Sequence, residues 1–167
     1  SRSSDLTGNT DGKTLTFSGW FYTGNTATQM ILHLGGMEFT IKLSSATTPF
    51  RMVSGNGVLD ARITSMSTGN LNTWNHVLIS LDMGNTGNRY VYVNDVAATV
   101  NWATYVNSNL DRTSGSLVEV GAINGGSKLE GKLSNLFVDY TYRDLSVTNN
   151  RRLFITEEGK PAAGQAA

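Results

Sequence analysis

The chain has 167 residues, a length that fits one domain with a core of its own. Lys and Arg number 13 and Asp and Glu number 13, so the formal net charge is +0. That balance disfavours a dedicated nucleic-acid binder, which needs a basic stripe to neutralise phosphates, and it disfavours electrostatic docking on an anionic membrane. Cysteine is absent, which excludes disulfide staples, thiolate metal sites and cysteine nucleophiles.

Glycine is abundant at 18 residues and proline scarce at 2. With plentiful Asn, Ser and Thr this is turn chemistry, so many turns and short strands are expected. No apolar run approaches the ~18 residues of a membrane-spanning helix. In chain order, period-2 alternation dominates. Leu15, Phe17 and Phe21 alternate with Thr14, Thr16 and Ser18. Gln29–Leu34 reads as a strand, and then Met37, Phe39, Ile41 and Leu43 alternate with Glu38, Thr40 and Lys42. Phe50–Val53 follows, then Leu59, Ala61 and Ile63 against Asp60, Arg62 and Thr64. Val77, Ile79, Leu81 and Met83 alternate with His76, Ser80 and Asp82, and further strands are expected at Arg89–Val93, Leu117–Val120 and Lys132–Tyr140. The separators (Gly35-Gly36, Ser54–Gly57, Gly84–Asn88, Asn94-Asp95, Asn124–Gly126) carry residues that tolerate positive φ, as tight hairpins require. One stretch departs from the pattern: a short helix is expected from about Val147 to Ile155, with Ser146 as its N-cap and Arg151-Arg152 in its C-terminal half. The expected organisation is one all-β domain over residues 1–156, a two-sheet antiparallel jelly-roll sandwich, and a polar tail over 157–167.

Trp74-Asn75-His76-Val77-Leu78-Ile79-Ser80-Leu81-Asp82 followed by Arg89-Tyr90-Val91-Tyr92-Val93-Asn94-Asp95 resembles the laminin-G/pentraxin-like signature, a W-x-H strand and a second strand ending in a YVNG-type turn. Asp95 stands where that signature has Gly. The pattern is similar to the concanavalin A-like lectin/glucanase superfamily and implies its sandwich fold. Residues at both ends, Ser1–Thr7 with Phe17–Phe21, then Lys128–Phe137, Asp144–Ser146, Asn150–Ile155 and Gly159–Pro161, are similar to such domains in bacteriophage and prophage structural proteins.

The superfamily includes retaining glucanases, which need two carboxylates roughly 5–5.5 Å apart. Their Glu-x-Asp-x-x-Glu strand motif is missing here: Glu38, Asp82 and Glu119 each stand alone on their strands, and Glu157-Glu158 lie in the polar tail. Neither His33 nor His76 has a second His nearby, so a zinc site lacks ligands and His76 reads as structural. The relatives imply calcium held by loop oxygens, for which Asp95, Asp111 and Asn124 are candidates; turn formation accounts for the same residues, and no cofactor or metal is assigned. Trp20 and Trp74 read as core or sheet-face residues. The binding candidates are Asn101, Trp102, Tyr105 and Asn107, which place two rings beside polar amides in a loop or irregular strand. Of Arg151 and Arg152, one is expected to pair with Asp139 or Asp144 and the other to face solvent.

The function expected on these grounds is a non-catalytic structural or adhesive module of a phage particle, in capsid decoration or the tail apparatus. It would be present in multiple copies on the virion surface (otherwise extracellular) and would contact other virion proteins or surface glycans. A carbohydrate-binding lectin module is the alternative, with a glycoside hydrolase a distant third.

Overall fold

The computed structural model describes residues 10–113, 118–123 and 125–162. Its strands are β1 (Thr14–Thr23), β2 (Gln29–Leu34), β3 (Met37–Ile41), β4 (Phe50–Ser54), β5 (Leu59–Ile63), β6 (Trp74–Asp82), β7 (Arg89–Val93), β8 (Val96–Ala97), β9 (Val100–Tyr105), β10 (Val118–Val120) and β11 (Gly131–Asp139). A 3-10 turn at Thr68–Asn70 precedes β6, and one short helix, α1, spans Thr148–Arg151. Two antiparallel sheets form, a five-stranded one in the order β11-β1-β6-β7-β8 and a six-stranded one in the order β10-β2-β3-β4-β5-β9. The all-β sandwich expected from the alternation is therefore the observed fold, and Leu117 of the expected strand Leu117–Val120 lies outside the described residues.

The alternating positions explain the layering, because every second side chain of a strand falls on the same face. Leu15, Phe17 and Phe21 of β1 and Val77, Ile79 and Leu81 of β6 meet Met37, Phe39 and Ile41 of β3 and Phe50 and Met52 of β4 in one buried core. Phe17 and Phe39 stack across the layers with centroids 4.3 Å apart. At the β2–β3 hairpin, Gly35 takes φ +58°, and a Cβ there would sit 2.2 Å from the carbonyl oxygen of Arg112, so both conformation and space demand glycine.

The segment after β11 forms a strap across the outer face of the five-stranded sheet. Leu145 and Phe154 are buried there against Leu78, with Tyr90, Tyr92 and Phe137 packed around them. Leu78 has the parity of an outward residue on β6, opposite Ser18 on β1, and it is buried because the strap covers it. The helix in the strap is shorter than expected: it starts at Thr148, and its N-cap is Val147 without a side-chain cap bond. Ser146 is instead held one residue upstream, where its backbone N–H and hydroxyl both donate to Asp144. The chain then turns back on itself, with Ile155 bridging Pro161 and the N–H of Ala162 donating to the Phe154 carbonyl.

The pairing of Arg151 and Arg152 also differs from expectation. Both guanidiniums hold the two oxygens of Asp95, at 2.8 and 2.7 Å, while Asp139 pairs with Arg143 at 2.6 Å. Asn94 and Asp95 have φ of 51° and 65°, the conformation of a tight hairpin turn, and this β7–β8 turn presents the Asp95 carboxylate to the strap. Asp95 thus fastens the strap to the sheet. The arginines keep its carboxyl below the usual carboxylate range against the opposing effect of burial.

Candidate functional site

Two tryptophan-bearing regions come from different sheets of the sandwich. The first holds the sequence-predicted set. Asn101–Tyr105 is part of the edge strand β9, paired to β5 with a register shift between Trp102 and Thr104, so of the two expected readings, loop or irregular strand, it is irregular strand. Register separates the set. Trp102 lies opposite the buried Ala61 and packs against the core, whereas Asn101 lies opposite Arg62 on the outer face. The rings of Trp102 and Tyr105 meet edge to face at 5.4 Å. The guanidinium of Arg89 sits over both, 5.0 and 5.1 Å from their centroids. The Tyr105 hydroxyl donates to the Asp82 carbonyl at 2.8 Å, and burial pushes its pKa up to about 12. Asn107 accepts a hydrogen bond from Lys13 Nζ at 2.8 Å. A cleft of about 280 Å³ beside Trp102 is lined by Arg89–Tyr92, Ala97, Ala98 and Val100, and neither Asn101, Tyr105 nor Asn107 lines it.

The second region lies on the outer face of the five-stranded sheet. Ser134, Trp20 and His76 form one cross-strand row, and Lys132, Tyr22 and Trp74 form the next. Trp20 is buried and its ring stacks on His76 at 4.8 Å. Trp74 is 41% exposed, with Tyr22 tilted beside it at 6.1 Å and Lys132 Nζ 5.5 Å from the Tyr22 centroid. The end of the strap, Gly159, Lys160 and Pro161, closes a cleft of about 240 Å³ against Trp20, Trp74 and Ser134. The indole N–H of Trp20 is buried and has no acceptor. An unpaired buried donor costs free energy, so an unpaired indole in a cleft wall calls for a reason.

Parity could have found this region. Trp20 and Tyr22 share the face of Thr14, Thr16 and Ser18, and Trp74 shares the face of Ser80 and Asp82, so all three rings are outward residues. The expectation that Trp20 and Trp74 belong to the core or a sheet face is met on the sheet face, where Trp20 is buried and Trp74 is exposed. The strap wall left no such trace, because its approach to β1 and β6 is a long-range contact.

The remaining candidates are engaged structurally. His76 is fully buried, its Nε2 lies 2.8 Å from the Ser18 hydroxyl, and burial lowers its pKa to about 4 against a small opposing pull from Asp95. Asp60 accepts from Arg51 and Arg62 on the outer face of the six-stranded sheet, which holds its carboxyl well below the carboxylate range. On that same face Glu119, His33 and Glu38 form a cross-strand row that reading each strand alone does not reveal. His33 Nδ1 lies 3.9 Å from the Glu119 carboxylate. With His33 between them, the backbones of Glu38 and Glu119 are about 10 Å apart at ordinary strand spacing. Of the calcium candidates, Asp95 spends both oxygens on arginine and Asp111 accepts from the backbone of Thr113 at 3.3 Å, while Asn124 lies outside the described residues. Among the described residues no three His, Asp or Glu side chains gather as a metal site.

The class of this fold is a two-sheet β-sandwich bearing an aromatic cleft on one outer face. The chain belongs to the concanavalin A-like lectin/glucanases superfamily, whose family model matches residues 2–141. The strap that walls the cleft follows the matched stretch. Among solved structures, the chain is similar to a candidate carbohydrate-binding protein from Bacteroides ovatus ATCC 8483, with 19% identity and a TM-score of 0.68 over 90% of this chain and 43% of that one. It is also similar to the native heptameric SAP-like pentraxin from Limulus polyphemus, with 17% identity and a TM-score of 0.55 over 83% of this chain and 73% of that one. The chain therefore spans less than half of the Bacteroides structure, and the likeness is one of fold. No curated protein matches the sequence.

Proposed function

We propose that this module binds glycans without cleaving them, through the cleft between Trp74 and the strap. The observation that carries the reading is Trp74 itself, a 41% exposed indole on the lip of an otherwise apolar cleft beside Tyr22. A large rigid ring with accessible area binds at low entropic cost, and a sugar's C–H face packs on such a ring. The carbohydrate-binding description of the Bacteroides ovatus structure supports the same class of partner. Trp102 is the weaker stacking platform, because Arg89 already lies over its ring.

A glycan array probed with the full chain and with Trp74→Ala tests this. Wild-type binding to a defined glycan set is expected, with Trp74→Ala losing it while its melting temperature stays close to wild type. An array with no bound glycan, or one on which Trp74→Ala binds like wild type, overturns the reading.

The resemblance of both chain ends to bacteriophage structural proteins supports a second proposal, that the module is displayed in multiple copies on a particle and meets surface glycans or neighbouring virion proteins there. Mass spectrometry of purified particles should find the chain at high copy number, and its absence from them would contradict that placement.

A further inference from the structure

We propose, resting on the glycan reading of the Trp74 cleft, that its ligand is an acidic sugar: a ring stacked on Trp74 with a carboxylate held between Lys160 and Lys132. The charge inventory of the cleft points to an anion. Lys160 forms part of the cleft wall, and Lys132, although not a lining residue, lies in the cross-strand row of Tyr22 and Trp74, whose indole lines the cleft. Both are exposed, and among the described residues neither ammonium is paired with a carboxylate. The contrast with the arginines is direct, since Arg51, Arg62, Arg143, Arg151 and Arg152 all face an aspartate at 2.5–2.9 Å.

Two neighbouring acids take hydrogen bonds from other groups. Glu130, two residues before Lys132, accepts from the Asn25 amide at 2.6 Å. Glu158, two residues before Lys160, takes a hydrogen bond from the Thr156 side chain, which is the main reason its carboxyl lies below its ordinary value; Lys160 and Arg152 contribute less. Trp20 adds its ring to the cleft wall. An apolar floor with cations at its margin matches a pyranose bearing a carboxylate.

The test is calorimetry on the full chain with a hexuronate oligosaccharide and a sialylated trisaccharide, each beside its carboxyl-reduced counterpart. At least one acid form should bind roughly tenfold more tightly than its reduced form, the gain expected of two exposed ion pairs. That preference should shrink as salt is raised and vanish in Lys132→Met/Lys160→Met, while a Trp74-dependent residual affinity persists. Comparing the two acids identifies which source of carboxylate the cleft takes. Equal binding of acidic and reduced forms, lost only on Trp74→Ala, overturns the acidic preference and leaves the glycan reading standing. No binding of any of the four sugars, together with an array free of hits, overturns both.

Discussion

Trp102 and Trp74 come from different sheets of the sandwich, one facing the core and one on an outer face, and are treated in opposite ways by the rest of the chain. Around Trp102 both the edge and the face of the ring are engaged by other residues of the chain. Arg89 covers the ring, Tyr105 meets its edge, and the Tyr105 hydroxyl is tied to the backbone of β6. Around Trp74 the internal supply falls short. The indole is 41% exposed, and among the described residues the buried N–H of Trp20 has no acceptor and Lys132 and Lys160 are in no ion pair. A ring whose contacts are complete contributes to stability, whereas a ring whose contacts are incomplete is available to a ligand. The two regions should therefore respond to perturbation along different axes, stability for one and binding for the other.

The largest effect should come from the core beneath both regions. Phe39→Ala removes a fully buried ring stacked on Phe17 and should cost about 3–5 kcal/mol. Ile79→Ala, 1% exposed on β6, should cost about 2–4 kcal/mol. Denaturant unfolding should show both losses, and near-wild-type stability of either variant would mean that the strand faces are assigned backwards.

Acid should then separate the regions. His76 under Trp20 has a folded pKa of about 4, set by burial, against about 6.5 when unfolded. The unfolded chain therefore takes up a proton between those values that the folded chain refuses. Stability contributed by neutral His76 is complete above pH 6.5 and declines as pH falls toward 4, by about 3 kcal/mol in all. His76→Gln should flatten the pH dependence of the melting temperature in that window, and an unchanged slope would show that the histidine is not the titrating group. Below it, protonation of Asp60 adds a further loss, because its low folded pKa means that its stabilisation fades as pH drops past the usual carboxylate range.

Asp95→Ala sharpens the comparison from the side of the strap. It leaves Arg151 and Arg152, both largely covered, without their shared carboxylate, and should cost about 1–3 kcal/mol. Hydrogen exchange should rise over residues 145–162 and stay at wild-type levels around Trp102. Glycan affinity should fall as well, since the strap supplies Lys160 and Pro161 to the cleft. Unaltered exchange in the strap would show that the apolar contacts of Leu145 and Phe154 hold it alone.

Much of this contrast was legible in the alternation of residues, because sheet parity sorts Phe17 from Trp20 and Ile79 from His76 without any structure. The superfamily was legible in the W-x-H strand and the turn after β7. Parity failed where a third layer covers a sheet. Leu78 is on an outward position and yet has no exposure, and nothing local to β6 announces the strap that buries it. The same long-range packing hid the partner of Arg151, which lies 56 residues away at Asp95 rather than at nearby Asp139 or Asp144. It also drew attention to the rings of Trp102 and Tyr105 before the guanidinium over them was visible, since Arg89 comes from the other sheet.

The most direct test of the contrast measures Trp74→Ala and Trp102→Ala side by side, by calorimetric titration with the strongest ligand from the array and by thermal unfolding of the same samples. Trp74→Ala should lose roughly tenfold or more in affinity, as a central aromatic anchor does, with stability within about 1 kcal/mol of wild type. Trp102→Ala should keep wild-type affinity and lose about 2–3 kcal/mol of stability, as a half-buried ring with a cation over its face does. The reverse pattern, with affinity lost at Trp102 and retained at Trp74, would place the binding site on the β9 edge and contradict the account.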